Sequence, residues 1–181
     1  MRKKKGPWTV TATKVIYQNH WLKVVEDKVI RPDGQKGTFG TVSMIPGISI
    51  LPMDNKNNVF LARGYKYAVE RVTLGAISGG INQGENKLQA ARRELKEEAG
   101  LIARTWTYLG FVDPFTNVIF SPNHLYLAQN LSQSKAQREG TEEMEIAKMP
   151  FKKAYDQAMK SKITHSATVV LILKVKNLLK L

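Results

Sequence analysis

The sequence has no cysteine. That excludes disulfides, thiolate metal sites and a cysteine nucleophile, and it fits a reducing compartment, so a cytoplasmic protein is expected. Long apolar runs are missing too. The longest, residues 167–173 with Thr168 inside it, falls far short of the roughly 20 residues that cross a bilayer. The basic start, Met1-Arg2-Lys3-Lys4-Lys5, resembles the head of an export signal, but Gly6-Pro7-Trp8-Thr9 stands where the apolar stretch would have to be, so no export is expected. Histidine is scarce. His20, His124 and His165 are isolated from one another, show no metal-ligand spacing and receive no role. There is no internal repeat, no low-complexity tract, no zinc-finger pattern and no basic-aromatic motif for RNA.

Acidic residues are few: 15, against 28 Lys and Arg, for a net charge of +13. The imbalance is uneven. Residues 1–40 hold nine basic and three acidic residues, residues 147–181 hold eight Lys and only Asp156, and residues 41–146 are balanced. A basic periphery around a neutral middle suits anionic partners such as nucleotides, pyrophosphates or nucleic acid; ordinary solubility explains most of these lysines equally well. The 181 residues, 43% of them apolar, suit one domain with a packed core and a small extension.

Residues 10–17 and 21–30, rich in β-branched and aromatic side chains, read as strands, and Arg31-Pro32-Asp33-Gly34 reads as a turn. Further strands are expected at 38–44, 48–53, 58–63, 105–112 and 124–128. Helices are expected at 86–99, 151–161 and 167–180, and an exposed, mobile loop at 132–143. Leu74 to Gly84 carries glycine at 75, 79, 80 and 84, which suits a sharp bend or a close backbone approach. Interleaved strands and helices make the class α/β or α+β.

The helix after these glycines carries the clearest chemistry. At about 100° per residue, Glu98 lies about 40° from Glu94, and Glu97 about 60° to its other side. The apolar stripe of Leu88, Ala91, Leu95 and Ala99 runs beside them. Like charges at these spacings repel, and the C-terminal end of a helix disfavours anions. A hard divalent cation would relieve both effects, and its open positions would take substrate phosphates. A solvated acidic face balanced by Arg92, Arg93 and Lys96 is the alternative that the helix alone leaves open.

The wider spacing narrows the choice. Gly79, then Glu85, then Arg93-Glu94-Leu95-Lys96-Glu97-Glu98-Ala99-Gly100-Leu101 resembles the 23-residue Nudix box at every fixed position. The resemblance implies a Nudix-type α/β/α sandwich around a mixed β-sheet, with Mg²⁺ or Mn²⁺ as cofactor. It implies hydrolysis of a nucleoside diphosphate linked to another group. Glu94, Glu97 and Glu98 would be metal ligands, with the Gly79 carbonyl a further one. Glu97 and Glu98 would also be catalytic, and Glu85 with Arg93 would brace the cluster.

Outside the box, Val15 to Leu22, Arg31 to Gly34, Gly64 to Tyr67 and Glu142 to Ile146 resemble the branch that cleaves ADP-ribose and nucleoside diphosphate sugars. That implies an N-terminal antiparallel β extension over 1–45, dimerising, ahead of a hydrolase domain over 46–181, and a homodimer. The chain departs from the branch at Gly75-Ala76-Ile77-Ser78, where Glu-Leu-Pro-Ala is usual. It departs again at Asp113-Pro114-Phe115 and Val118-Ile119-Phe120, where a Ser-Pro-Gly stretch and a following Glu are usual. There it resembles the sugar-nucleotide members, GDP-mannose hydrolases among them, more closely. Glu142 and Glu143 are then the acids nearest to hand as general base. Arg63 and Lys66 are candidate phosphate contacts, as is Arg71, and Tyr17, Trp21 and Tyr67 are candidate base-stacking residues. The basic charge keeps an RNA 5′-pyrophosphate hydrolase or a housekeeping hydrolase of modified nucleotides as a rival reading; a non-catalytic nucleotide-binding domain is a rival of another class.

Overall fold

The computed structural model of the chain describes residues 3–135 and 144–181. These form two compact units, Met1–Ile45 with Asp113–Ser121, and Pro46–Val112 with Pro122–Leu181.

The first unit is a five-stranded sheet. Strands β1 (Lys3–Lys5), β2 (Trp8–Gln18), β3 (Leu22–Ile30) and β4 (Lys36–Met44) pair antiparallel in chain order. The Arg31–Gly34 turn closes the β3–β4 hairpin: Gly34 takes φ +82°, a left-handed conformation open to glycine, and its N–H donates to the Arg31 carbonyl at 3.0 Å. A two-residue strand, β10 (Ile119–Phe120), joins β4 in parallel, so residues from mid-chain add to the N-terminal extension.

The second unit is built on two sheets. One has the order β8 (Ile77–Gly80), β5 (Gly47–Pro52), β11 (Asn123–Gln133), β9 (Leu101–Val112). It is mixed: β5 runs parallel to β11, and the other pairs are antiparallel. The other sheet has the order β12 (Met144–Pro150), β6 (Asn58–Lys66), β7 (Arg71–Gly75). The turn from β5 to β6 is set by Asp54, whose Oδ1 accepts the backbone N–H groups of Lys56 and Asn58 at 2.9 and 2.8 Å. Asn57 supplies the left-handed residue there, φ +56°.

Side-chain alternation sorts these strands between two cores. Leu51, Met53, Val59, Leu61, Leu125 and Leu127 face α2 (Phe151–Met159) and α3 (Ser166–Leu179), meeting Phe151, Leu171, Ile172 and Val175. Ile48, Ile50, Ile77, Tyr126 and Ala128 face α1 (Lys87–Ala99), meeting Ala90, Ala91 and Leu95. Both faces of the mixed sheet are thus covered, which is the α/β/α arrangement expected and explains why Ile48 to Met53 is apolar apart from Ser49, itself buried. Each fully buried Leu or Ile contributes about 1.5–3 kcal/mol.

Several elements differ from expectation. The glycine-rich stretch does not simply bend; β7 and β8 run through it. Strand β9 starts at Leu101, directly after the helix cap. Ser132 and Gln133 belong to β11 rather than to a loop, and residues 136–143 lie outside the described ones. No helix among the described residues is long and apolar enough to cross a membrane.

Candidate active site

Helix α1 is delimited by its own sequence. The Asn86 side chain accepts the N–H groups of Leu88 and Gln89, both at 3.0 Å, and Gln89 Oε1 accepts the Asn86 N–H at 2.9 Å, a reciprocal cap. Gly100 ends the helix at φ +62°. The small residues Ala90 and Ala91 let the helix lie close to the sheet. Glu94 is pressed against strand β8, where Gly79 has no side chain; a Cβ there would run into the Glu94 carboxylate. One helical turn later, Glu98 Oε2 accepts the Ser78 N–H at 3.3 Å. Two carboxylates at i and i+4 therefore meet the same strand at neighbouring residues. The predicted close approach of backbone at the glycines is this contact.

Arg93 gathers the rest. Its Nη1 donates to Glu94 at 2.7 Å and to Glu97 at 3.1 Å. Its Nε and Nη2 donate to the two Glu85 oxygens at 3.0 and 3.1 Å, and Nη2 also donates to the Gly80 carbonyl at 2.9 Å. Glu85 further accepts the Asn82 N–H at 3.1 Å. The hydrogen bonds from Arg93 hold the Glu85 carboxyl below its usual range against the opposing effect of burial, and Glu85 in turn raises Arg93 further above its own. Glu85 and Arg93 thus stand where a brace is needed.

Among the described residues no three His, Asp or Glu side chains form a ready metal cage; the guanidinium, a cation itself, draws Glu94 and Glu97 together. The donor set nonetheless fits a hard divalent ion. Glu94, Glu97 and Glu98 offer only oxygen, and Glu94 is held in a pocket that a methyl group on Gly79 would fill.

Beside Glu98 opens a cavity of about 560 Å³. Lys66 and Arg71 line it, with Ser78, Thr164, His165 and Ser166. Of the candidate phosphate contacts, Lys66 and Arg71 reach this cavity. Arg63 instead donates to Glu145 of β12 at 2.7 Å. Tyr17 and Trp21 belong to the N-terminal unit, 54% and 62% exposed. Glu142 and Glu143 lie outside the described residues. The segment 164–166 is what sequence reasoning missed. Its polar residues ahead of an apolar helix were a visible signal, but only the fold brings them to Glu98.

A family model described as the NUDIX domain matches residues 44–169. The chain belongs to the Nudix family. Its Nudix box is the β8–α1 segment just described. Residues 8–42 match a second model, the nucleoside diphosphate sugar hydrolase N-terminal domain. The chain is similar to the methanol dehydrogenase activator of Bacillus methanolicus, 24% identical over 169 residues, 88% of each chain. It is similar to the ADP-ribose pyrophosphatase of Mycobacterium tuberculosis, 28% identical over 153 residues, 82% of this chain and 73% of that one. A crystal structure of an ADP compounds hydrolase shares the fold with a TM-score of 0.84, covering 98% of this chain and 97% of that one at 22% identity. The chain is a Nudix pyrophosphohydrolase.

Proposed function

We propose that this Nudix hydrolase, with Mg²⁺ or Mn²⁺ bound, cleaves the pyrophosphate bond of nucleoside diphosphate sugars of the ADP-ribose or GDP-mannose type. The products are a nucleoside monophosphate and a sugar phosphate. One observation carries the reading: a single cavity of about 560 Å³ has Glu98 in its wall together with Lys66 and Arg71. Its size suits a small nucleotide, and its two cations suit a diphosphate beside a carboxylate that needs a metal to coexist with it. The ADP-ribose pyrophosphatase activity of the mycobacterial relative and the match of the N-terminal segment support the substrate class.

Glu94, Glu97 and Glu98 are the residues that would hold the ion, with the Gly79 carbonyl as a further ligand. When bound, the ion supplies charge neutralisation at the phosphoryl oxygens and a more acidic water. Arg93, fixed by Glu85, keeps Glu94 and Glu97 oriented. Lys66 and Arg71 bind diphosphate oxygens and offset charge as the P–O bond breaks. Glu142 or Glu143 takes the proton of the attacking water.

The reading includes a cytoplasmic homodimer that associates through residues 1–45. The exposed Ile16, Tyr17 and Trp21 of that unit support such an interface. A panel of ADP-ribose, GDP-mannose, other sugar nucleotides, dinucleoside polyphosphates and 5′-triphosphorylated RNA, run with and without Mg²⁺, tests the assignment. Metal-dependent release of a nucleoside monophosphate from a sugar nucleotide is expected. Turnover confined to the RNA, or none at all, sinks it.

A further inference from the structure

His165 has no part in the mechanism above, yet it stands in the wall of the same cavity as Glu98, Lys66 and Arg71. The ring is fixed from behind. Its Nδ1 is 2.8 Å from the Thr168 hydroxyl oxygen, and that oxygen accepts the Ala76 N–H at 2.9 Å. Thr168 is wholly buried. A buried hydroxyl that already accepts from a backbone amide still has a proton to place, and Nδ1 is an acceptor within reach. The ring then carries its own hydrogen on Nε2. With Nδ1 turned to α3, the Nε2 edge is the one left to the cavity. Partial burial, and after it the charge on Lys66, push His165 below its ordinary pKa, which keeps the imidazole neutral at neutral pH.

Two neighbours complete the arrangement. Gly75 packs against it, a Cβ there lying 3.4 Å from Thr168 Oγ1 and 3.8 Å from His165 Nδ1. Arg71 Nη2 donates to the Thr164 hydroxyl at 3.3 Å. Consecutive residues of one turn thus anchor a guanidinium and an imidazole on the same cavity wall. A neutral imidazole beside two cations adds direction rather than charge, because its N–H must point at an acceptor.

We infer that His165 is a further substrate-binding residue, whose Nε2–H donates a hydrogen bond to a phosphate oxygen of the bound nucleoside diphosphate beside Arg71. This rests on the proposed substrate class. The test measures calorimetric binding of the non-cleavable α,β-methylene analogues of ADP-ribose and GDP-mannose with Mg²⁺ present, and steady-state kinetics on the cleavable parents. His165→Phe keeps the ring volume and loses the donor. It is expected to weaken binding of the preferred analogue about tenfold or more, and to raise KM alike with kcat within about twofold. His165→Gln carries an amide N–H near the Nε2 position and is expected to restore affinity to within about threefold of wild type. Wild-type affinity in His165→Phe overturns the inference and leaves the hydrolase reading standing. Equal loss in both variants with a lowered melting temperature also overturns it, since the ring would then only fill space. A wild-type protein that binds neither analogue and cleaves no sugar nucleotide overturns both.

Discussion

Strands β2 and β5 are both rich in apolar residues, and they meet opposite fates. From Ile48 to Pro52, β5 is buried throughout, with Ile48 and Ile50 under α1 and Leu51 under α3. From Thr11 to Gln18, β2 is exposed throughout, although Val15, Ile16 and Tyr17 lie in it and β1 and β3 pair with its edges. Edge pairing satisfies the backbone in both strands. Only in the second unit do helices also cover the faces. The hydrolase unit is therefore finished by its own chain, and chemistry can be built at its rim. The N-terminal unit displays exposed apolar side chains, on which the proposed homodimer rests.

The sharpest way to break this contrast is at the rim. Glu98→Gln keeps the size of the side chain and removes its charge. Mg²⁺-dependent kcat is expected to fall about 10²-fold or more, with the melting temperature unchanged. Near wild-type turnover would mean that the carboxylates of α1 are only a solvated face. Next comes the core behind the sheet. Leu171 of α3 is fully buried, so Leu171→Ala is expected to destabilise the fold by about 2–5 kcal/mol in a urea titration. Activity per folded molecule should stay close to wild type, because Leu171 itself does not line the cavity beside Glu98.

The outcome of sequence reasoning follows the same division. Where one element supplies both the pattern and its meaning, the sequence was readable. The apolar residues from Ile48 to Met53 announced a strand, and the spacing of Glu94, Glu97 and Glu98 announced a shared helix edge. Strand β8 was hidden because Gly79 and Gly80, half of its residues, carry no side chains to show a period of two, and β7 was missed although Arg71-Val72-Thr73-Leu74 alternates. Gly79 makes sense only once Glu94 is seen lying against it. His165 looked isolated because its partner Thr168, three residues on, is itself fixed by the Ala76 N–H, which lies 92 residues from Thr168 along the chain.

A smaller effect is expected on the exposed face of the N-terminal unit. Ile16→Glu places a charge among its exposed apolar side chains, at a position already 53% exposed. Sedimentation equilibrium should show self-association weakened about tenfold or more, with melting of the separated protomer little changed. An unaltered association constant would detach residues 1–45 from the dimer.

The smallest effect separates the two units by how each stores charge. Asp27 of β3 is almost wholly covered, and its carboxylate accepts from Lys5 Nζ at 2.6 Å and from the Thr13 hydroxyl. The bond from Lys5 first, and that from Thr13 next, hold its pKa below the ordinary value of 3.8. A carboxyl depressed in the folded state contributes stability that is fully present above its unfolded pKa and is lost as pH falls through the folded one. Asp27→Asn is therefore expected to destabilise by about 1 kcal/mol at neutral pH. The gap between the two proteins should stay constant down to about pH 5 and then close as the wild-type group takes up its proton. Urea titrations at pH 7, 5, 4 and 3 check this. A gap that persists unchanged at pH 3 would mean that Asp27 acts by shape alone, and that the N-terminal sheet, unlike the rim of α1, makes no use of its buried charge.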